Sequence, residues 1–156
     1  MEVKSLFQLQ KEKNSKIVID GTLSEYKVWA RKNLELHTKI SYLANETKCY
    51  KYWVSDDSPI NKSTLFERYL DCFTHILNIG IDRNYDSIKK ITLKPNDYCL
   101  SDQFLNLFID LNDIIISPSE DHYITLLEDF ISLGITLGYS KSKIKESFIK
   151  CDGKAS

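Results

Sequence analysis

Glycine, proline and arginine are scarce in this sequence of 156 residues, and each scarcity excludes a class of protein. The 5 Gly and 3 Pro are too few for a turn-rich β-sandwich or a glycine-rich phosphate-binding loop. Only Arg31, Arg68 and Arg83 are arginines among 21 basic residues, and 22 acidic residues bring the formal net charge to −1. The chain therefore lacks the broad positive field that binds nucleic acid or an anionic membrane.

Long apolar runs and paired cysteine motifs are also missing. The densest apolar run, Ile114–Ile116, stops at Ser117, far short of the roughly 20 residues of a membrane-spanning helix. The 4 cysteines have no C-x-x-C spacing, so we expect reduced thiols and no zinc site. The start of the chain, Met1–Lys4, lacks the apolar segment of a signal peptide. We therefore expect a cytoplasmic protein.

What the sequence does have is apolar residues at helical spacing, in a chain that is 42% hydrophobic and 28% charged. This periodicity predicts a single all-α domain over residues 1–156, a bundle of about five or six helices. The predicted helices cover about residues 4–19, 33–52, 63 or 64 to 79, 104–116 and 121–137, with a last helix after Ser140.

Polar segments separate the predicted helices. A short link containing Trp29 precedes the second helix, and Thr64 with Glu67 predicts a capping box at the start of the third. Turns are predicted at residues 56–59, which end in Pro59, and at residues 95–97, which begin with Pro95. Residues 83–103 are predicted to be irregular, because one short alternating run there makes no sheet.

A known family shares the most distinctive segment of the chain. Leu43–Trp53, LANETKCYKYW, closely resembles a signature of the dimeric all-α dUTPases, which belong with the MazG-like nucleotide pyrophosphohydrolases. Weaker matches follow in the family's order at Leu6–Lys11, Phe66–Asp71 and Leu133–Ser140. The resemblance implies the family's helical fold, a homodimer, and Mg²⁺-dependent conversion of dUTP to dUMP and pyrophosphate.

The resemblance also implies a metal centre that this chain has largely lost. The family places Glu-x-x-Glu and Glu-x-x-Asp pairs on facing helices, where spacing of three puts each pair on one face to bind Mg²⁺. In this register the first pair falls at Lys39 and Tyr42 and the second at Arg68 and Asp71. Only Asp71 is a carboxylate, so we expect no metal and no cofactor.

Two nearby carboxylates are possible replacements for the missing ligands. Glu46 lies four residues after Tyr42, which can place it on the same helical face, and Glu67 directly precedes Arg68. If they compensate, the chain is an active Mg²⁺-dependent dUTP diphosphatase. The candidates for nucleotide contacts, by position in the family pattern, are Gln10, Lys51, Trp53 and Lys150. The C-terminal segment after Lys150 is expected to be shortened relative to the family.

These residues favour a catalytically degenerate dUTPase-like protein that acts by binding a protein partner or a deoxynucleotide. Lys39, Arg68 and Asp71 allow two interpretations: an ion-pair cluster between helices, or an anion site in which the cations hold a phosphate. The active diphosphatase stays open as the alternative. A homodimer is expected to use the apolar third and fifth helices, with no nucleic acid or membrane as a partner.

Overall fold

The computed structural model describes residues 1–55, 59–93 and 96–151. In these ranges the chain forms six α-helices, which confirms the predicted all-α fold. They are α1 (Lys4–Asn14), α2 (Glu25–Thr47), α3 (Lys62–Asp82), α4 (Leu100–Ile116), α5 (Glu120–Thr136) and α6 (Lys141–Lys150). The predictions for the turn residues 56–58, for Pro95 and for the segment 152–156 lie outside the described residues.

Helix α2 begins eight residues before the predicted start at Asn33, so Trp29 lies inside the helix and not in a link. The side chain of Ser24 accepts a hydrogen bond from the backbone N–H of Lys27 and caps the helix. None of residues 25–32 is buried, so these first turns carry no apolar face that packs in the core. The helix ends at Thr47, where Lys48 adopts a left-handed conformation with φ of 55°.

Helix α1 ends at Asn14 and not at Ile19. The three β-branched residues Ile17–Ile19 extended the predicted apolar pattern, but they lie exposed in the α1–α2 connection. Their exposure means that they do not form a buried helical face. The connection therefore presents apolar side chains to solvent.

Helices α3 and α4 also begin earlier than predicted. Asn61 caps α3 by accepting a hydrogen bond from the N–H of Thr64, so the predicted capping box of Thr64 and Glu67 is wrong. Helix α4 begins at Leu100, inside the segment that was predicted to be irregular. Within that segment, the backbone of residues 89–91 forms hydrogen bonds with the backbone of residues 1–3.

Two tyrosine–glycine contacts fix how closely α3 and α5 approach. An ideal Cβ on Gly134 would lie 2.2 Å from the hydroxyl of Tyr69, and one on Gly80 would lie 2.3 Å from that of Tyr123. Each hydroxyl donates to a backbone carbonyl of the facing helix at 3.0 Å. The two helices therefore dock through reciprocal contacts that need glycine on the opposite side.

The apolar residues of α3 and most of those of α5 are used inside the monomer. The expectation that these two helices form a subunit interface loses its basis, because their apolar faces already pack in the core. Among the helices, α4 instead exposes three large aliphatic side chains, Leu105, Ile109 and Ile116. None of the described helices is both long and apolar enough to span a bilayer.

Candidate functional site

Contacts between acidic and basic side chains follow the seam between the antiparallel helices α2 and α3. From one end of the seam to the other, the pairs are Glu46–Arg68 at 3.0 Å, Lys39–Asp71 at 2.8 Å, Glu35–His75 at 3.3 Å and Lys32–Asp82 at 2.7 Å. Spacings of three, four and seven residues keep these side chains on the facing sides of their helices. Three of the four positions where the resemblance predicts metal ligands, Lys39, Arg68 and Asp71, lie in the first two pairs.

Asp71 is the centre of the first group of contacts. Its carboxylate lies 2.8 Å from Nζ of Lys39 and 3.5 Å from Nε2 of His75, one turn further along α3. Hydrogen bonds from His75 and Lys39 lower the pKa of Asp71 to about 2, although its partial burial acts in the opposite direction. The same contact raises the pKa of Lys39. Both groups therefore stay ionised as a pair at neutral pH.

Arg68 is the centre of the second group. Its Nε donates to Oε1 of Glu46 at 3.0 Å, and its guanidinium carbon lies 5.2 Å from the centre of the Tyr42 ring. Glu46 thus reaches the same face as Tyr42, as its spacing predicts. Glu67 is exposed and its carboxylate accepts a long hydrogen bond of 3.5 Å from Ser63, so the structure does not bring it into this cluster.

The cluster does not have the ligand chemistry of a magnesium centre. Mg²⁺ needs oxygen ligands in near-octahedral geometry, but two of the positions where the resemblance predicts ligands carry the cations Lys39 and Arg68. Asp71 and Glu46, the carboxylates that remain, each bind one of those cations. Within the described residues, no group of three or more His, Cys, Asp or Glu side chains is arranged to hold a metal ion. The residues present therefore do not fit the metal.

The arrangement is also unfavourable for binding an anion such as phosphate. Lys39 and Arg68 each have a carboxylate within 3.0 Å, and the two pairs sum to a formal charge of zero. A phosphate would have to displace Asp71 or Glu46 before either cation could bind it. Of the two interpretations drawn from the sequence, the geometry therefore favours the ion-pair cluster between helices.

The four nucleotide-contact candidates lie in three parts of the chain: α1, the segment after α2, and the end of α6. Gln10 is buried in α1 and donates to Asn14 at 2.9 Å, while Lys150 is exposed at the end of α6. Lys51 and Trp53 follow α2, with Nζ of Lys51 5.6 Å from the centre of the Trp53 ring. The Trp53 ring is 48% exposed and packs edge-on against Tyr52. Only Lys51 and Trp53 are brought together as a pair.

Sequence reasoning missed a cleft at the opposite end of the α2–α3 seam. It has a volume of about 840 Å³ and lies between the α1–α2 connection, the start of α2 and the end of α3. Trp29 and Arg83 stack in its wall, with the guanidinium carbon 4.6 Å from the ring centre. The sequence predicted that α2 starts at Asn33, which left Trp29 outside the helix and gave no reason to expect its contact with Arg83. A serine cap followed by a helix-compatible run without glycine or proline was the available signal.

Sequence reasoning also missed a carboxyl pair between α4 and α5. Asp110 is only 8% exposed, and its Oδ2 atom has no hydrogen-bond partner among the described residues. Burial, followed by a hydrogen bond with Asp129 and the nearby charge of that group, raises the pKa of Asp110 to about 8. The pair therefore holds a proton to a higher pH than an isolated aspartate does. No spacing rule within one helix predicts such a contact between two helices.

The chain matches a family model across most of its length. A model described as dUTPase covers residues 2–154. Neither a curated protein nor a solved structure matches the chain. The match spans both the ion-pair cluster and the Trp29–Arg83 cleft.

Proposed function

This chain belongs to the dUTPase family, and we propose that it is a catalytically degenerate member that acts by binding a protein partner. The contact between Lys39 and Asp71 at 2.8 Å is the observation that carries this proposal. A lysine ammonium lies beside the remaining family carboxylate, where the resembled enzymes gather metal. Hydrolysis of dUTP in this family depends on that metal centre.

Charge supports the same conclusion. The four carboxylates of the family pattern carry about −4, and two Mg²⁺ ions balance that charge. Here Lys39 and Arg68 supply the positive charge from the chain itself, and Asp71 and Glu46 balance it. The cluster is electrically complete without an added ion. It therefore serves to hold α2 against α3.

A deoxynucleotide is the second candidate ligand. The observation in its favour is the half-exposed Trp53 ring with Lys51 beside it, because a base can stack on an exposed indole. Calorimetry with dUTP and dUMP in the absence of metal tests this candidate. Saturable binding that is lost in Trp53→Ala and kept in Tyr98→Ala, another exposed aromatic, would favour it over a protein partner.

We also propose that the protein is a homodimer, as the family is typically oligomeric. Leu105, Ile109 and Ile116 give α4 an exposed apolar surface that a second copy can cover. Light scattering on the purified chain gives its mass directly. A dimer that becomes a monomer in Leu105→Lys/Ile109→Lys supports this surface, whereas a dimer unaffected by the change excludes it.

Turnover of dUTP is the decisive test of the main proposal. High concentrations of the protein are incubated with dUTP and either Mg²⁺ or Mn²⁺, and dUMP and pyrophosphate are quantified. We expect no turnover above that of a buffer control. Turnover that disappears in Asp71→Ala would restore the active dUTP diphosphatase and show that Glu46 or another carboxylate completes a metal site.

A further inference from the structure

The Trp29–Arg83 cleft combines apolar walls with one stacked cation. Ile19, Leu23 and Val28 line it together with Trp29 and Arg83. Its volume of about 840 Å³ is in the range of pockets that enclose a small ligand or a few bulky side chains. None of the positions carried over from the family pattern lies in it.

Two donors in this wall lack acceptors. Nε1 of Trp29 and Nε of Arg83 are buried and have no hydrogen-bond partner among the described residues. Both groups can only donate, so whatever satisfies them must offer an acceptor. A carboxylate that binds a guanidinium side-on accepts from Nε and from the adjacent Nη. Stacking on Trp29 holds the Arg83 guanidinium as a flat group for such a contact.

Arg83 differs from the other seam cations. Lys32, Lys39 and Arg68 each have a carboxylate partner at 3.0 Å or less. In the described ranges 1–55, 59–93 and 96–151, no carboxylate lies within ion-pair distance of Arg83. Its sequence neighbour Asp82 is paired with Lys32. Among the described residues Arg83 is therefore a cleft cation without an ion-pair partner of its own, although Asp20, Glu25 and Asp82 also line the cleft.

The composition of the cleft is that of a protein-binding surface. Trp, Tyr and Arg are the residues that most often dominate binding energy at interfaces, and Trp29, Tyr26 and Arg83 occur here together. Tyr26 is 72% exposed and its ring centre lies 6.1 Å from that of Trp29. Val18, in the adjoining α1–α2 connection, is 95% exposed. These apolar groups remain available to a partner.

We propose that the Trp29–Arg83 cleft binds a segment of a partner protein that presents an Asp or Glu beside a bulky apolar side chain. The acid binds the guanidinium of Arg83 and the apolar side chain enters between the cleft walls. Asp20 and Glu25 also line the cleft, so a run of several acids is disfavoured by repulsion. The proposal rests on the proposed function in that it names a protein as the partner.

Selection from a phage-displayed library of random dodecapeptides tests the proposal on the full-length protein. We expect enriched sequences with one Asp or Glu next to an aromatic residue, Leu, Ile or Met. A synthetic peptide of the enriched sequence is then titrated against the Trp53→Phe variant, in which Trp29 is the only tryptophan and its emission reports on the cleft. Binding is expected to weaken at least tenfold in Arg83→Gln and when the peptide acid becomes its amide.

Arg31→Gln is the matched control, since Arg31 is exposed on α2 outside the cleft lining. It is expected to bind the peptide like the parent protein. No enrichment, enriched peptides without an acid, or equal binding by Arg83→Gln would overturn the cleft proposal. These results do not depend on dUTP turnover. Turnover by the same preparation would overturn the proposed function, whereas the peptide titration alone decides whether the cleft binds an acidic peptide.

Discussion

The α2–α3 and α4–α5 pairs both place carboxyl groups between helices, but the groups face opposite kinds of neighbour. Asp71 in the first pair contacts Lys39 and His75, and its pKa falls to about 2. Asp110 in the second pair meets Asp129 in a more buried setting, and its pKa rises to about 8. An aspartate is thus an anion at neutral pH in one seam and keeps its proton to a higher pH in the other.

The difference shows two ways in which the chain avoids repulsion between neighbouring carboxylates. In α2–α3 the chain places Lys39 and Arg68 beside Asp71 and Glu46, so charge is balanced without metal or proton. In α4–α5 no cation approaches within ion-pair distance of Asp110 among the described residues, and a bound proton removes the repulsion. The two seams therefore respond differently to added metal and to pH.

The largest expected effect comes from introducing glutamates at the three α2–α3 positions where the resemblance predicts metal ligands and the chain has none. Lys39→Glu/Tyr42→Glu/Arg68→Glu leaves four carboxylates with Asp71 and removes the cations that balance them. Without metal the variant should unfold at a lower temperature than the parent, because the acids repel one another. Added Mg²⁺ or Mn²⁺ should restore stability by binding the folded state, by about 2.7 kcal/mol at a metal concentration 100 times the Kd.

Thermal unfolding with and without metal measures this effect. The matched control is Lys27→Glu/Arg31→Glu/Tyr52→Glu, which makes the same charge change at exposed positions. Equal responses to Mg²⁺ in the two variants would mean that the substituted positions do not converge on a metal. That result would break the contrast between a seam balanced by cations and a family site balanced by metal.

The second effect concerns the α4–α5 seam and appears as pH rises. The pKa of Asp110 is higher in the folded state than in the unfolded chain, so the folded state holds a proton that the unfolded chain releases above about pH 4. The free energy of unfolding therefore falls as pH rises from about 4 to about 8. Asp110→Asn keeps the shape without the charge and should raise Tm at pH 9 by about 3 °C or more.

Tm of Asp110→Asn and its parent should agree more closely at pH 4, where the parent aspartate is protonated in the folded state. Asp97→Asn is the control, since Asp97 is exposed and outside the helices. A gain of the same size at both pH values would show that Asp110 is ionised throughout. The opposition between the two seams would then fail.

The third effect appears at acid pH and has the opposite sign. The pKa of Asp71 is lower in the folded state, so its contribution to stability is present above about pH 4 and is lost as pH falls towards 2. The side chain is 41% exposed, so solvent screening limits the contribution to about 1 kcal/mol. In urea unfolding, Asp71→Asn should be less stable than the parent at pH 6, and the difference should shrink at pH 2.5.

Much of the fold was predictable because a buried helical face leaves a period in the sequence. Helix α3 repeats apolar residues over its whole length and was located to within two or three residues. Helix α2 was not, because none of residues 25–32 is buried in the core, and the start of the helix depends on the Ser24 cap. The apolar triplet Ile17–Ile19 made the predicted α1 too long, because these exposed residues lie beyond the end of the helix at Asn14.

The site was predictable where its residues share one helix. Spacing of three and four places Lys39, Tyr42 and Glu46 on one face of α2. The same rule does not decide the place of Glu67, which lies one residue before Arg68 but four residues before Asp71. Contacts between elements carry no such signal. The stacking of Trp29 on Arg83 depends on where α2 begins and where α3 ends. A family pattern also cannot show whether a cation that replaces a ligand is already paired.

The smallest effect compares two arginines on the same seam. Arg68→Met removes the ion pair with Glu46 and the stacking on Tyr42, so it should cost about 0.5–1 kcal/mol in urea unfolding. Arg83→Met removes stacking on Trp29, but it also removes a buried Nε that has no acceptor. These contributions oppose each other, so its stability should stay within about 0.5 kcal/mol of the parent. An equal loss in both variants would mean that Arg83 has an unrecognised partner within the chain, and the cleft would then have no spare cation for an acidic ligand.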